Sequence, residues 1–551
     1  VSKLRLNNHE ITAQSGSTLF DHADRTGVRI PGSCGRRGSC HECIVEVTQG
    51  REALTPRTSH EKFLRGGFRL ACQCRVNDEA AEVHAHALRR GTPQIHSYGR
   101  QAKYGLDPCV TRGDAGAILL DGRPIAQSTG PILGLAADIG TTTIVLRLLD
   151  LETGQLKAAH GFENPQLFGG GDVMGRITYD RDSKRHELRR ILIAYINHSI
   201  DEFTSLIGVT KDDIYEFVAT GNATMRDLFF GLDVQGIGQR PFQSVSEREM
   251  REGKRDSTVL LERPARLGLH MNQNGRVYGA PIIACHVGAD TSGCLAAIEM
   301  DREERIVILM DIGTNTELVL GTKDRTLCAS CPAGPAFEGG SLSCGMPGLE
   351  GAIESIRMNE RVRNERVHYE TIGSGPPLGI CGSGMVDALG ELLRTGRMNV
   401  MGRLEADGGR FWIDRENDLY LTEHDISQLA QAKAANIAGI LILLEDYGIT
   451  LDQVDKFYLA GGFANYINVE QAIRIGLIPQ MPLEKVEKIG NGSIEGATAM
   501  LCSAAMRRRI ERFVRGVEHV ELERHENFFG VFVEGCQFKS SVEMMASLGI
   551  G

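Results

Sequence analysis

No stretch of this 551-residue chain reaches the roughly 18–20 consecutive apolar residues of a membrane-spanning helix. The longest candidate, residues 437–444, is short and belongs to an amphipathic helical pattern. An excess of positive charge is missing as well. The formal charge is −10, which argues against a general nucleic-acid binder, because such proteins present a basic face. Residues 1–10 alternate like a strand and show neither the basic start nor the apolar stretch of an export signal, so a cytoplasmic location is expected. Cysteine is too sparse for a secreted disulfide scaffold, with fourteen in the whole chain. The phosphate-binding pattern Gly-x4-Gly-Lys-Ser/Thr occurs nowhere.

What is present is ordinary for a soluble globular protein: 42% hydrophobic and 24% charged residues. The length exceeds one compact core and suggests about three or four domains. Four cysteines cluster early, with Cys74 beside them. The others, Cys109, Cys285, Cys294, Cys328, Cys331, Cys344, Cys381, Cys502 and Cys536, are scattered and read as small buried hydrophobes.

Residues 1–86 read as short strands around one helix. Strands at residues 4–6 and 10–13 flank the turn pair Asn7-Asn8. Ser17 is placed to cap a helix over residues 18–25, which Gly27 stops. Further strands are expected at 44–47 and 68–76. Between them lies Gly32-Ser33-Cys34-Gly35-Arg36-Arg37-Gly38-Ser39-Cys40-His41-Glu42-Cys43. A loop that wraps an iron–sulfur cluster must aim amide N–H groups at sulfur, and Gly32, Gly35 and Gly38 permit the positive φ and close approach this needs. Four thiolates supply two soft anionic ligands per iron: Cys34, Cys40, Cys43, and either Cys72 or Cys74. A four-cysteine zinc site would more typically use two separate Cys-x2-Cys pairs. Arg36 and Arg37 offer a dock for an acidic reductant.

The Cys-x5-Cys-x2-Cys spacing with a distant fourth cysteine resembles the β-grasp ferredoxins that carry a 2Fe–2S cluster. It departs from the plant spacing by one residue in the first gap and is closer to the adrenodoxin type. Leu70-Ala71-Cys72-Gln73 resembles the family's strand motif, which implies Cys72 as the fourth ligand.

Residues 87–131 lose periodicity under Gly, Pro, Arg and His, and read as a tether that lets the ferredoxin domain swing between donor and acceptor; residues 115–120 form one strand or short helix within it. Beyond it, a strand-like run ends at Asp138-Ile139-Gly140-Thr141-Thr142-Thr143, and 173 residues later another ends at Asp311-Ile312-Gly313-Thr314-Asn315-Thr316. A hairpin turn rich in Gly and Thr offers N–H groups and hydroxyls to phosphate oxygens, and an Asp at the end of the first strand holds Mg²⁺, commonly through water. Two such loops in tandem clamp a polyphosphate from both sides of a cleft. A third strand, residues 454–459, leads into Ala460-Gly461-Gly462-Phe463-Ala464-Asn465, whose glycines let backbone lie against adenine and ribose. Residues 492–499 read as a helix of small residues, with residues 219–225 as its counterpart. Small residues let two crossing helices approach closely and act as a hinge between lobes.

Together these elements resemble the actin, Hsp70 and sugar-kinase superfamily over residues 132–551, in two halves at 132–300 and 301–551. The expected fold is thus multidomain α+β and α/β: a β-grasp ferredoxin domain followed by a duplicated actin-like, ribonuclease H-like ATPase. Asn164-Pro165-Gln166, Gly171-Asp172-Val173-Met174-Gly175-Arg176-Ile177, Ala333-Gly334-Pro335-Ala336-Phe337-Glu338-Gly339 and Gly379-Ile380-Cys381-Gly382-Ser383-Gly384 narrow the match. With them the chain resembles the reductive activators of corrinoid proteins.

That resemblance implies ATP-driven transfer of one electron from a 2Fe–2S cluster to cob(II)alamin, regenerating cob(I)alamin in a methyltransferase system. It implies ATP and Mg²⁺ as further cofactors, a corrinoid protein as partner, and a homodimer as a plausible state. Asp138 and Asp311 would hold the metal–phosphate assembly, with Gly140, Thr141, Thr142, Thr143, Gly313, Thr314 and Asn315 around the phosphates and Gly461, Gly462 and Phe463 around adenosine. Glu317 would orient the attacking water, with Asp172 and Glu338 as further carboxylates; the general base is left unassigned. Rival readings are a ferredoxin-fused small-molecule kinase, an activator of radical dehydratases with a bridging 4Fe–4S cluster, and a nucleotide-gated redox sensor or docking protein.

Overall fold

The computed structural model describes residues 3–7, 9–77, 82–88, 105–183, 186–313, 315–340, 342–359, 367–405, 408–462 and 464–548. They form two compact units. The first holds the residues up to Ser292 together with Ala497–Glu511; the second holds Gly293–Gly496 and the chain from Arg512 onward.

In the first unit, β1 (Lys3–Leu6), β2 (His9–Thr12), α1 (Leu19–Thr26), β3 (Ile44–Gln49), β4 (Phe68–Leu70) and β5 (Val83–Ala87) make a five-stranded sheet in the order β2-β1-β5-β3-β4, carrying one helix. The helix cap is Thr18 rather than Ser17. Its hydroxyl accepts from Asp21 N at 3.0 Å while the Asp21 carboxylate accepts from Thr18 N at 2.9 Å, a reciprocal box that only the residue directly before the first turn can close. Gly27 ends the helix in the left-handed region at φ 71°. The strand expected over 68–76 stops at Leu70. Gln73 N and Cys74 N both donate to Leu70 O, at 2.9 and 3.0 Å, which turns the chain around Cys72.

Residues 105–127 do not form the expected tether. β6 (Val110–Arg112), β7 (Ala117–Leu120) and β8 (Arg123–Gln127) form a three-stranded antiparallel sheet, and Asp107 N donates to Cys502 O at 3.0 Å. Residues 89–104, also given to the tether, lie outside the described residues.

β9 (Leu133–Ile139), β10 (Thr143–Asp150), β11 (Leu156–Glu163), α2 (Val173–Asp182), α3 (Glu187–Ile207), β12 (Ile214–Thr220), α4 (Ala223–Phe230), α5 (Val245–Arg251), β13 (Leu260–Glu262), α6 (Pro264–Leu267) and β14 (Arg276–Gly279) complete this unit's ATPase portion, up to α7 (Ala289–Ala297). Its sheet runs β11-β10-β9-β12-β14-β13.

The second unit repeats the plan with β15 (Val307–Ile312), β16 (Thr316–Gly321) and β17 (Thr326–Cys331). Two small sheets and α8 (Gly382–Arg394) separate these from α9 (Glu423–Tyr447) and the parallel strands Lys456–Ala460 and Val486–Gly490, which extend the sheet beside β15. In both sheets a hairpin pairs antiparallel while its first strand pairs parallel with a later one, Asp138 lying opposite Thr220 and Asp311 opposite Ala460. Strands covered on both faces read as near-continuous apolar runs, and β12 and β16 are buried at every residue.

α9 is long and apolar enough to cross a membrane, yet 83% of its most apolar window is buried inside the protein. Lys433, in its middle, is fully buried and donates to Gly535 O at 2.5 Å and Gln537 O at 2.6 Å. This is a core helix whose single ammonium satisfies the end of a neighbouring one.

Candidate functional site

The loop from Gly32 to Cys43 turns on four residues with positive φ: Gly35 (61°), Arg36 (65°), Gly38 (82°) and His41 (64°). At Gly38 a Cβ would come within 2.8 Å of the Gln73 side chain. Gly32 differs from expectation. It is not left-handed, and its Cβ would face Phe20 at 3.3 Å, so its role there is space.

The thiols of Cys34, Cys43 and Cys72 are buried and that of Cys40 is half-buried. They interact electrostatically in two pairs, Cys34 with Cys40 and Cys43 with Cys72. Burial pushes the Cys34 thiol up, but the N–H groups of Cys40 and Ser39 and the Cys40 thiol outweigh it and bring it to about 6. The Cys43 thiol, against burial and with help from the Gln73 amide, brings Cys72 to about 7. Interaction with Cys72 and burial raise Cys43, and burial raises Cys40. Among the described residues no three His, Cys, Asp or Glu side chains converge as ligands of a single ion would. Two thiol pairs ringed by inward-turned amides fit a larger body with two metal centres, and low-lying thiolates are the donors soft iron–sulfur ligation needs.

Cys74 stands apart from this network. It is fully buried, and burial pushes its thiol up to about 12. Cys74→Ser is therefore expected to retain the visible absorption of the reconstituted cluster, whereas Cys72→Ser loses it; anaerobic reconstitution and absorption spectroscopy of both variants check this. Arg36 is committed within its own domain. Its guanidinium pairs with Asp21 at 2.8 Å and with Asp24, and lies 4.4 Å over the Phe20 ring, so it is not the open dock for a reductant that the sequence suggests.

The first phosphate hairpin is held from behind. Gly140 N donates to Thr143 O at 3.1 Å, closing the turn, and a Cβ on Gly140 would strike that same oxygen at 2.6 Å. Asn164 Nδ2 donates to Gly140 O at 2.8 Å, and Asn222 Nδ2 donates to the Thr141 hydroxyl at 2.8 Å. Arg176 is fully buried and donates to Thr141 O (2.6 Å), Gly170 O (3.1 Å) and Gln166 Oε1 (3.2 Å). Burial holds its guanidinium down to about 9. Thr141 is thus buried under these braces, Thr142 is half-buried, and Thr143 is exposed. In the sequence, Asn164 and Arg176 stand only as family signature residues without a role. Their partners sit 24 and 35 residues away, a distance that spacing cannot bridge.

The second hairpin is tighter by one residue. In the first, Ile139 pairs with Ile144 across a four-residue turn; in the second, Ile312 pairs with Thr316 across three. The shorter turn shifts the register, so that Glu317 lies directly opposite Asp311 while the residue opposite Asp138 is Val145. Residues opposite one another in an antiparallel pair project from the same face. Asp311, Glu317 and Ser330 therefore form one row, with the Ser330 hydroxyl donating to Glu317 at 3.4 Å. Asp311 is half-buried, Glu317 is 7% exposed, and the Cys294 thiol donates to Asp311 Oδ2 at 3.3 Å.

Gly461 follows the neighbouring strand at φ 105°, where a Cβ would meet Ile312 O at 2.3 Å; only glycine lets this turn pass so close to the second hairpin. Gly462 is exposed with open space around it. Gly313 N donates to Asn315 O at 3.0 Å. Thr314 and Phe463 lie outside the described residues.

Asp172 caps α2, its carboxylate accepting from Gly175 N at 2.7 Å, which is a structural use of that acid. Residues 219–225 are not the counterpart of the small-residue helix at 492–502: Ala219 and Thr220 finish β12, and Asn222 caps α4. The helix that meets it is α7, where a Cβ on Gly496 would lie 1.9 Å from Gly293 O. Glu338 sits half-buried in a short turn.

Residues 305–548 match the family model for the C-terminal domain of RACo, the ASKHA domain; 133–303 match the RACo middle region, and 4–77 the 2Fe-2S iron-sulfur cluster binding domain. The chain is 32% identical to the corrinoid activation enzyme RamQ of Eubacterium limosum, over 97% of this chain and 98% of that protein. It is 24% identical to the Co(II) methylated amine-specific corrinoid protein reductase of Methanosarcina barkeri, over 66% of this chain and 68% of that one. Among solved structures, a reductive activator for corrinoid, iron-sulfur protein matches with a TM-score of 0.71 at 26% identity, over 99% of this chain and 100% of the other. The chain thus joins a 2Fe–2S ferredoxin domain to an ATP-binding ASKHA domain and belongs to the RACo family of ATP-dependent reductive activators of corrinoid proteins.

Proposed function

We propose that this protein reduces the cob(II)alamin centre of a methyltransferase corrinoid protein to cob(I)alamin, one electron per event, at the expense of MgATP. The observation that carries the reading is the presence, in one chain, of two thiol pairs in a glycine-turned loop and two Asp-bearing hairpins in matching sheets. Cys34 and Cys40 would hold one iron, Cys43 and Cys72 the other. When bound, the cluster supplies single electrons.

Each 59 mV of unfavourable potential costs a one-electron transfer about a tenfold in equilibrium constant. Cob(I)alamin is strongly reducing, so the transfer needs a second driving force. Asp138 and Asp311 would each supply negative charge toward the magnesium that accompanies the nucleotide. Gly140, Thr142, Thr143, Gly313, Thr314 and Asn315 supply N–H groups and hydroxyls to phosphate oxygens, while Thr141 shapes the turn. Gly461, Gly462 and Phe463 border the adenosine. Glu317, aligned with Asp311, orients the attacking water. ATP favours reduction only to the extent that it binds one state of the activator–corrinoid complex better than the other. Fourteen free cysteines suit a reducing, cytoplasmic setting.

The test is a spectroscopic titration of a corrinoid protein from the same cell with activator, reductant and ATP. Cob(I)alamin is expected to accumulate only when all are present. Cobalt that stays divalent in the complete mixture, while ATP is consumed and a phosphorylated metabolite appears, would replace this reading with that of a kinase.

A further inference from the structure

The two residues between Cys40 and Cys43 are the least free part of the cluster loop. His41 is 7% exposed and Glu42 9%, and what covers them is α3 of the first nucleotide lobe. His41 Nδ1 lies 3.3 Å from Glu187 Oε2 at the start of α3, and Glu42 Oε2 lies 3.1 Å from His198 Nε2, three turns along it. Between them the Tyr195 hydroxyl donates to Glu42 O at 3.2 Å. Ser33 fixes the other Glu42 oxygen at 2.5 Å. Two side chains of opposite chemical type thus cross over in opposite senses, acid on helix to imidazole on loop and the reverse. That pattern sets both position and direction of the loop on the helix.

A second contact lies alongside. The His41 ring stacks on Phe63 at 4.3 Å, Phe63 meets Phe168 edge-on at 5.5 Å, and Phe63 O accepts from the Tyr179 hydroxyl at 2.8 Å. Farther out, exposed Arg29 pairs with Glu202 of α3 at 3.3 Å. The seam is not a continuous core. Cavities of about 420 and 540 Å³ open along it, the first bordered by His60, Lys62 and Asp182, the second by Arg65, Gly170 and Met174. A polar seam with crevices is the kind of interdomain contact that opens without unfolding either side.

We propose that α3 is a resting seat for the cluster loop, that Glu187 and His198 are positioning residues that latch it there, and that the loop must leave this seat to deliver its electron to the corrinoid protein. Electron tunnelling weakens steeply with distance, so an acceptor must come against the loop edge nearest the metal. In the seated state the Cys40–Cys43 edge is covered by the protein's own helix while Gly35, Arg36, Arg37 and Ser39 stay exposed, so it is an acceptor using the Cys40–Cys43 edge that the seat shuts out. The proposal rests on Cys40 and Cys43 being cluster ligands.

Two experiments on the full-length, cluster-loaded protein test it. In the first, hydrogen exchange is followed over residues 41–47 and 188–200 in the wild type, in Glu187→Gln/His198→Gln, and in the milder His198→Gln. Exchange about tenfold faster at 41–47 in the double variant, with β9–β12 unchanged, supports a latch. Unaltered exchange in both variants, or loss of protection spreading through the whole lobe, overturns it. In the second, cysteines at Arg29→Cys and Glu202→Cys are joined by a short bis-maleimide, pinning the seat closed away from the metal ligands. Corrinoid reduction is expected to fall at least tenfold against the identically treated single variants. Full reduction rates in the bridged protein would show that the loop need not leave. If the single variants fail too while their absorption spectrum is normal, it is the assigned reaction that is at fault and not the latch.

Discussion

Cys40→Ser is expected to lower electron transfer to the corrinoid protein by more than about a hundredfold while ATP affinity stays within about twofold. The substitution would remove one soft ligand, and with it one of the groups that lower the Cys34 thiol, though the Cys40 and Ser39 N–H groups that also lower it remain. A serine hydroxyl at the same place is a hard, protonated donor and a poor substitute for iron. The phosphate hairpins involve no cluster cysteine: their braces are Asn164, Asn222 and Arg176 in one unit and the Asp311–Glu317–Ser330 row in the other. Visible absorption and EPR report the cluster, a nucleotide titration reports the ATP site, and a melting curve checks that the domain stays folded. Loss of both activities in a folded protein would mean that cluster and nucleotide are not separable modules.

How much of this was legible in the chain follows from how local each signal is. The cysteine spacing and the two Asp-Ile-Gly-Thr turns are contiguous, so the ligand loop and both hairpins could be placed from sequence, and they lie on matching sheets. Signals that depend on register were not legible. Glu317 could be named from its place after the turn, but its position beside Asp311 comes from a turn one residue shorter than its twin, which a constant spacing of 173 residues between the motifs obscures. Long-range polar contacts were hidden altogether. Nothing in Asn164-Pro165-Gln166 shows that its asparagine closes a loop 24 residues earlier, nor in His41-Glu42 that a helix 146 residues on covers them. The sheet at 110–127 escaped because its strands are short and its Gly and Pro turns look like a linker.

The one-residue difference in register has a second large consequence. If Asp311 positions metal and phosphate as proposed, Asp311→Ala is expected to lower ATP turnover by about 10²–10³, because that charge is lost. Glu317→Gln is expected to lower turnover by about 10²–10⁴ with little change in ATP binding, since an amide keeps the shape and the Ser330 contact but can neither take up a proton nor hold water as a carboxylate does. Asp138→Ala should weaken MgATP binding more than it slows the hydrolysis step, because the side chain opposite it is Val145 and no second carboxylate stands opposite it. These outcomes would mean that the two halves are duplicated in fold but divided in labour, the first hairpin gripping while the second both grips and prepares water. Single-turnover hydrolysis alongside nucleotide titration separates the two effects. If Glu317→Gln hydrolyses ATP at the unaltered rate, or if Asp138→Ala and Asp311→Ala give the same split between binding and turnover, the one-residue difference between the turns has no catalytic meaning. Stored, cluster-loaded Glu317→Gln offers a further check. It should bind ATP and still fail to drive repeated cobalt reduction, because a nucleotide that is gripped but not cleaved cannot reset the activator for the next electron.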